Sequence, residues 1–182
     1  MNQRRVTETR IVHTADLDET TREAIRALLW DVFDDMTEQD WEHCLGGIHT
    51  IAVGEGGAVV GHAALVMRRL LHGERALRTG YVEGVAVRSD HRRRGIGAAV
   101  MAPLERMIER AFDIGALGAT DDAARFYESR GWKAWPGPLS ALTPRGIVET
   151  PDEQGAVYLF APRVMLATDV ALTCDFREGD CW

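Results

Sequence analysis

Cysteine is scarce in this sequence: there are three residues, Cys44, Cys174 and Cys181, among 182. Their number is odd and their spacing forms no CxxC motif, so neither a disulfide framework nor a cysteine zinc site is expected. The six histidines likewise lack the spacing of metal ligands. We therefore expect a reduced, cytoplasmic protein that binds no metal.

Long apolar runs are also missing. No stretch approaches the roughly 18 residues that a membrane-spanning helix needs. The N-terminal segment MNQRRVTETRIV is basic but lacks the apolar core of a secretion signal. Positive charge is in short supply overall, with 21 Lys and Arg against 28 Asp and Glu, a net charge of −7. An acidic chain is poorly suited to bind a phosphate backbone, so we expect neither nucleic acid nor membrane as a partner.

What is present is typical of a globular α/β protein, at 46% hydrophobic and 27% charged residues. No linker divides the chain, so the length predicts one domain, residues 1–182. Apolar periodicity predicts strands at 10–15, within 48–71 on both sides of a turn at 54–57, and at 74–90, 112–119 and 156–160. It predicts helices at 16–33, 37–47, about 96–111 and 120–131.

This order predicts a mixed, mostly antiparallel sheet flanked by helices, an α/β (α+β) fold. Along the strand at 74–90, strict alternation would place Leu77, Tyr81 and Glu83 on one face. Pro103, inside the helix at 96–111, should kink it or leave the carbonyl of Ala99 without a partner. The remainder of the chain beyond residue 131 carries five of the six prolines and is predicted to form loops around one strand.

A dense positive cluster, Arg92, Arg93 and Arg94, stands directly before Gly95-Ile96-Gly97. It fills the predicted turn between a strand and a helix. Amides at a helix start have no intrahelical partner, glycine lets a backbone approach a ligand closely, and arginine donates to phosphate oxygens. These parts together favour a pyrophosphate site. The alternative is a solvated basic turn, since neither a Walker motif nor the dinucleotide GxGxxG is present.

The pattern Arg92-x-x-Gly95-x-Gly97 resembles the acetyl-CoA pyrophosphate motif of the GCN5-related N-acetyltransferases (GNAT), and AARFYESRGW at 123–132 is similar to their next helix and turn. The segments HTADLD, DWEH, GYVEGVAVR, FYESRGW and CDFREGDCW together resemble the actinobacterial aminoglycoside 2′-N-acetyltransferases, from about Arg10 to Trp182. The resemblance implies the GNAT fold, acetyl-CoA as cosubstrate, and direct transfer to a 2′-amino group within a ternary complex. It also implies a homodimer.

The resemblance further implies which residues bind the cosubstrate. The pantetheine arm would pair with the backbone of the strand YVEGVAV, and an amide near Val85 would face the thioester oxygen. The residues implied to contact acetyl-CoA are Val85, Ala86, Val87, Arg92, Arg93, Arg94, Gly95, Gly97 and Ala98.

Two side chains are candidates for proton transfer. Glu83 is a carboxylate inside a β-run, where charge is disfavoured, and it matches the base of the resembled family. A glutamate would act either with a raised pKa or through water. Tyr127 matches the general acid that would protonate the departing thiolate. The alternatives are a solvent-facing Glu83 and a Tyr127 that only packs in the core.

Acidic residues are implied to bind the polycationic acceptor, and a terminal indole to stack on a sugar. The implied set is Asp35, Asp40, Glu83, Gly84, Glu153, Asp180 and Trp182. The chain departs from the family at Glu153, commonly Asp, and at Gly118, where serine is expected. Two other readings stay open: acetylation of another amino sugar, a polyamine or a peptide amine, and a non-catalytic acyl-CoA sensor.

Overall fold

The computed structural model describes residues 8–182, and the basic segment before Glu8 lies outside the described residues. None of the helices in this range is both long and apolar enough to cross a membrane. The helices are α1 (Glu19–Val32), α2 (Glu38–His43), α3 (Ile96–Ala111) and α4 (Ala124–Glu128). The strands are β1 (Glu8–His13), β2 (Ile48–Val53), β3 (Val59–His72), β4 (Arg75–Val87), β5 (Ile114–Gly118), β6 (Lys133–Ala134), β7 (Leu139–Thr143), β8 (Gly146–Glu149), β9 (Val157–Phe160) and β10 (Leu172–Cys174).

Contacts between residues group the chain into two compact units. The N-terminal unit comprises residues 8–66 and 82–106, and the C-terminal unit comprises Met67–Tyr81 and Met107–Trp182. The chain passes from one unit to the other within β3, β4 and α3, so neither unit is one continuous stretch of sequence. The prediction of a single domain stays a prediction.

In the N-terminal unit, the strand order is β1–β2–β3–β4, with β1 antiparallel to β2 and β2 antiparallel to β3. Helix α1 begins after Asp18, whose carboxylate accepts from the amide of Thr21 at 2.8 Å, as expected for an N-cap. The buried residues of α1, Ile25, Leu28 and Leu29, recur at helical spacing, so they form one apolar stripe that packs into a buried cluster. The cluster comprises Ile25, Leu28, Leu29, Trp41, Cys44, Ile51, Ala64 and Ala86.

In the C-terminal unit, the strand order is β6–β9–β5–β4–β3–β10–β7–β8. The pairs β4/β5 and β10/β7 are parallel, and the other pairs with a defined register are antiparallel. The mixed, mostly antiparallel sheet predicted from the sequence is confirmed. An aromatic group, Tyr127, Trp132 and Tyr158, is buried beside β5 and β9.

Helix α3 continues through Pro103 from Ile96 to Ala111. The hydroxyl of Thr50 donates to the carbonyl of Val100 at 2.7 Å, one turn before the proline. Proline removes one intrahelical donor and its ring crowds the preceding turn. This side-chain donor from β2 lies beside the turn that the proline disturbs, but it bonds to Val100 and not to the carbonyl of Ala99, which loses its helical donor at Pro103.

Two predictions about secondary structure are wrong. The proline-rich segment contains four strands besides β9, namely β6, β7, β8 and β10. These strands are two to five residues long, too short to show a period. β6 and β10 pair with strands that are distant in sequence, whereas β7 and β8 form a hairpin with each other. The alternation along β4 also breaks: Leu77 and Tyr81 are buried, but Val82 and Ala86 replace Glu83 as the buried positions that follow. The break begins before the left-handed Gly84, because residues 79–82 are buried on both faces of the strand and alternation marks only strands that are exposed on one face.

Candidate active site

The second half of β4 carries the predicted pantetheine contacts. Among the described residues, β4 pairs with β5 over Thr79–Tyr81 and then extends to Val87. Backbone groups of its last residues are therefore not used by β5. Val85 and Val87 are half-buried, whereas the Ala86 side chain lies in the apolar cluster of its unit. The side chain of Ala86 is therefore used in packing, and the predicted contact of Ala86 with acetyl-CoA stays a prediction.

Gly84 makes the strand irregular beside Glu83. A Cβ atom at this position would lie 2.8 Å from the sulfur of Cys44 and 3.4 Å from the His62 ring, and the φ of 55° disfavours any other residue. The carbonyl of Gly84 accepts a hydrogen bond from Nδ1 of His62 at 2.7 Å. The half-buried Glu83 thus precedes a left-handed residue that is closely packed by Cys44 and His62.

The arginine turn (residues 92–97) leads into α3. Arg93 has φ 58° and Gly95 has φ 78°, and all three arginines are exposed. The amide of Ala99 bonds to the carbonyl of Gly95 at 2.9 Å, which closes the first helical turn. Helix geometry directs the amides just before it, including those of Gly97 and Ala98, out of the N-terminus. A left-handed arginine, exposed guanidinium groups and unpaired amides form a suitable anion site.

A short ion-pair network secures the backbone just before the arginine turn. One carboxylate oxygen of Asp90 accepts from Nε of Arg88 and from Nδ1 of His91, both at 2.7 Å. These two hydrogen bonds hold the pKa of Asp90 well below its usual range, and the bond from Arg88 makes the larger contribution. His91 itself is buried. The turn therefore starts from a fixed, charge-paired anchor even though its own arginines are solvent-exposed.

Tyr127 lies on α4 in the C-terminal unit and is 5% exposed. Its ring makes edge or tilted contacts with Phe126, Trp132 and Tyr158. Burial raises the pKa of the phenol above its ordinary value of 10.0, so the hydroxyl is protonated at neutral pH. Packing and proton donation are compatible here, since the same burial that fixes the ring keeps the proton on the oxygen.

The C-terminal tail (residues 175–182) has neither helix nor strand, yet two arginines hold it in place. Arg68 donates to the Asp175 carboxylate at 2.7 Å and to the carbonyls of Asp175 at 2.9 Å and Cys181 at 2.7 Å. Arg177 donates to the carbonyl of Asp180 at 2.7 Å and to Trp182 O at 2.8 Å. Both guanidinium groups stack on the ring of Tyr81, at 4.5 and 5.3 Å from its centroid. We call Arg68, Tyr81 and Arg177 the tail clamp.

Trp182 closes the tail. It is 4% exposed, and its indole N–H donates to the hydroxyl of Thr150 at 2.9 Å. Its amide bonds to the carboxylate of Asp180 at 3.0 Å. The ring therefore packs against protein, and its use as a stacking surface for a sugar stays a prediction. A Cβ atom at Gly118 would lie 3.8 Å from the terminal carboxyl carbon of Trp182, which leaves room for the serine expected there.

Glu153 and Asp180 interact electrostatically within the C-terminal unit. Burial, followed by the negative charges of Asp180 and Asp152, raises the pKa of Glu153 above its ordinary 4.5. Asp180 is exposed and Glu153 is half-buried. Clustered carboxylates repel one another in the absence of a cation, so this group is suited to a positively charged ligand.

The remaining predicted acids belong to the N-terminal unit. Asp40 forms a complete capping box at the start of α2: its carboxylate accepts from the Thr37 amide at 2.9 Å, and its own amide donates to the Thr37 hydroxyl at 3.2 Å. This helix ends at His43, well before the predicted Gly46-Gly47. Asp35 lies in the exposed loop before the cap. Asp40 thus has a structural role whether or not it binds an acceptor.

Sequence reasoning missed the residues that support these candidates. His62, Arg68 and Thr150 hold Gly84, the tail and Trp182 respectively. The only signal in the sequence was polar residues inside apolar β-runs, as His62 and Arg68 stand in VVGHAALVMRRLL. Polar residues in such a run indicate buried hydrogen bonds, but not their partners.

A family model described as "Acetyltransferase (GNAT) family" matches residues 14–132. The chain belongs to this family. An aminoglycoside 2′-N-acetyltransferase of Mycolicibacterium fortuitum is 46% identical over 178 residues, which cover 95% of this chain and 91% of the relative. The resemblance stated from the sequence is confirmed.

Solved structures confirm the fold. A GNAT family N-acetyltransferase of Escherichia coli, solved in complex with CoA, has a TM-score of 0.63 at 18% identity, covering 94% of this chain and 89% of that one. A GCN5-related N-acetyltransferase of Kribbella flavida has a TM-score of 0.57 at 22% identity over 72% of this chain. This chain covers 34% of that larger protein. As a family member, the protein is an acetyltransferase that uses acetyl-CoA.

Proposed function

We propose that this acetyltransferase transfers the acetyl group of acetyl-CoA to the 2′-amino group of aminoglycosides and so inactivates them. The observation that carries the proposal is the acidic group in the C-terminal unit, where the negative charges of Asp180 and Asp152 are near enough to Glu153 to raise its pKa. Aminoglycosides carry several ammonium groups, and a cluster of carboxylates lowers the free energy of a bound polycation. The name of the 46% identical relative supports the same acceptor.

The residues implied by the family supply each proton and charge that the reaction requires. Glu83 takes the proton from the acceptor ammonium, directly or through water, so that the nitrogen lone pair can form the new C–N bond. The amide of Val85 donates to the thioester oxygen as negative charge develops there. Tyr127 gives its proton to the sulfur as the C–S bond breaks, and its phenolate is reprotonated by the second proton that the nitrogen loses as the amide forms. The burial that raises the pKa of Tyr127 would also raise the pKa of a thiol in the same surroundings, so transfer between them is not strongly uphill.

The arginine turn binds the pyrophosphate of acetyl-CoA in this proposal. The first-turn amides of α3 and the exposed guanidinium groups fit a diphosphate, because both are donors directed at one anion. The cytoplasm, where acetyl-CoA is made, and a homodimer remain our predictions for location and assembly.

The test is an assay of thiol release from acetyl-CoA with matched acceptors. We expect turnover with an aminoglycoside that carries a 2′-amino group and none with its analogue that has a 2′-hydroxyl group. Simple polyamines and peptide amines serve as further acceptors. Turnover with peptides but not aminoglycosides would reassign the substrate, and no release with any amine would favour an acyl-CoA sensor.

The same assay tests the two proton-transfer roles. Tyr127→Phe should fold and bind acetyl-CoA but lose about 10²–10⁴-fold in kcat, the usual value of one positioned proton donor. Glu83→Gln should remove the acid limb of the kcat/KM profile. Wild-type turnover in the Tyr127 variant would show that the ring only packs, and an unchanged acid limb would assign the base to another group.

A further inference from the structure

A chain of hydrogen bonds runs through the core of the N-terminal unit and ends at Gly84. Oγ1 of Thr14 lies 2.8 Å from Nε2 of His49. Nδ1 of His49 lies 2.9 Å from Nε2 of His62, and Nδ1 of His62 lies 2.7 Å from the Gly84 carbonyl oxygen. Both histidines are 0% exposed. Nothing in the mechanism above uses them.

The strands place the two rings side by side. Ile51 on β2 lies opposite His62 on β3, so His49, two residues before Ile51, is a diagonal neighbour on the same face. The ring centroids are 5.2 Å apart with an interplanar angle of 37°. A polar pair of this kind is costly to bury unless each nitrogen has a partner. In this chain each of the four ring nitrogens has one.

The position of every proton follows from the last acceptor in the chain. A carbonyl oxygen only accepts, so Nδ1 of His62 carries a hydrogen and donates to Gly84. Burial lowers the pKa of His62 to about 3 and that of His49 to about 4, so each ring is neutral at neutral pH and has one N–H. Nε2 of His62 must then accept from Nδ1 of His49.

Thr14 completes the order of donors. Nε2 of His49 is left as an acceptor, and the Thr14 hydroxyl donates to it, while the amides of Gly46 at 3.0 Å and Gly47 at 3.2 Å donate to the hydroxyl oxygen. The competing acceptor, the Gly47 carbonyl, is farther away at 3.2 Å. The donors therefore point in one direction, from Thr14 to Gly84.

We propose that His62, held in its Nδ1–H form by His49 and Thr14, is a positioning residue that fixes the backbone at Gly84 and thereby sets the directions of Glu83 and Val85. Gly84 has a left-handed conformation that a strand does not hold by itself. The His62 donor fixes its carbonyl oxygen, and the nearby Cys44 sulfur restricts the space beside its Cα. The proposal rests on the roles proposed above for Glu83 and Val85.

Substitution of His62 by asparagine or glutamine distinguishes a positioning role from simple packing, because each amide side chain replaces one of the two ring nitrogens. In His62→Asn, the amide nitrogen takes the place of Nδ1, so the bond to Gly84 is kept and the bond to His49 is lost. In His62→Gln, the amide takes the place of Nε2, so the bond to His49 is kept and the bond to Gly84 is lost. Each variant therefore loses one buried hydrogen bond and serves as the control for the other.

We expect the Gln variant to lose about tenfold or more in kcat, because small displacements of reacting groups are costly, and the Asn variant to stay within about threefold of wild type. The acetyl-CoA KM should change little in either, since the arginine turn is untouched. Equal kcat values in the two variants, or wild-type turnover in the Gln variant, would overturn the proposal.

A second measurement does not depend on mutation or on the acceptor. Long-range ¹⁵N–¹H spectra of the wild-type protein should show that His62 and His49 each carry their ring proton on Nδ1. A proton on Nε2 of His62 would overturn the proposal even if neither variant folds. Failure of the wild-type enzyme to acetylate any aminoglycoside would instead reject the proposed acceptor and leave this spectrum unchanged.

Discussion

The arginine turn and the C-terminal tail are both proposed to bind a charged substrate, but they are built in opposite ways. The turn takes its shape from adjacent residues: the anchor of Arg88, Asp90 and His91 precedes it, and α3 follows directly. The tail is held by its own Arg177 and also by Arg68, which is more than 100 positions earlier, since the contact of Arg68 with Cys181 spans 113 residues.

This difference has a physical basis. A helix N-terminus exposes donors because of its own geometry, so a short segment suffices for an anion site. A site for a polycation needs several carboxylates near one another, and like charges repel. Such a group must be held by bonds from elsewhere, as the tail clamp does. The turn should therefore tolerate local changes in a graded way, whereas the tail should depend on single distant residues.

The largest effect is expected from the clamp. Arg68→Met removes three hydrogen bonds from a side chain that is 5% exposed. We expect the free energy of unfolding to fall by about 2–3 kcal/mol, below the usual loss for a fully buried pair because Asp175 is 41% exposed. The aminoglycoside KM should rise about tenfold or more, while the acetyl-CoA KM stays the same.

Chemical denaturation and steady-state kinetics measure both quantities. Arg69→Met is the matched control, because this neighbour is exposed on the same strand. If Arg68→Met raised the KM of acetyl-CoA as much as that of the aminoglycoside, the contrast between turn and tail would be lost.

Removal of Trp182 should have the next largest effect. The deletion abolishes the indole bond to Thr150 and the bond from Arg177 to Trp182 O, and moves the terminal carboxylate to Cys181. We expect the aminoglycoside KM to rise about tenfold, as the loss of one or two hydrogen bonds implies. A neutral C-terminal extension should have a smaller effect, because it removes only the charge. One shared KM for all three forms would exclude the tail from the acceptor site.

Loss of charge from the turn should act on the other substrate. Arg92→Ala combined with Arg94→Ala should raise the acetyl-CoA KM about three- to tenfold, because exposed charge pairs contribute about 0.2–1 kcal/mol each. The effect should shrink as salt is added. Arg106→Ala with Arg110→Ala removes the same charge from exposed positions later in α3 and should leave this KM unchanged. An unchanged acetyl-CoA KM in the first pair would mean that the turn is only solvated.

Lowering the pH should have the smallest effect on KM, and it should affect the aminoglycoside and not acetyl-CoA. The pKa of Glu153 is raised, so Glu153 loses its charge first as pH falls, and the aminoglycoside KM should rise. The pKa of Asp90 is lowered, so the anchor of the turn stays charged and the acetyl-CoA KM should not change. Glu153→Gln should flatten the pH dependence of the aminoglycoside KM. An equally steep profile in that variant would place the titrating group elsewhere.

Stability should respond to these two carboxylates with opposite signs. Asp90 stabilises the fold above its unfolded pKa near 3.8, and this contribution is lost as pH falls through its lowered value. The charge of Glu153 is unfavourable in the folded protein, so its protonation on acidification removes a cost. Thermal unfolding of Asp90→Asn and Glu153→Gln across the acid range distinguishes the two.

Prediction from sequence succeeded where the signal is local. The apolar spacing of Ile25, Leu28 and Leu29 located α1, and Ile96, Val100 and Leu104 located α3. The capping box at the start of α2 is equally local, because Thr37 and Asp40 are three positions apart. It failed in the segment after residue 131, where β7 and β10 pair through Ser140 and Thr173 over 33 residues. Proline there marked turns, and the short strands between them carried too few residues to show a period.

The sequence by itself determined the family and its cosubstrate through short motifs. It also predicted the arginine turn as an anion site, because a helix start, glycine and adjacent arginines act over a few neighbouring residues. Only the tertiary structure decided that Trp182 is buried, that Arg68 holds the tail and that His62 donates to Gly84. The reason is that a buried polar group takes whichever partner the packing brings within hydrogen-bond distance, and that partner is distant in sequence.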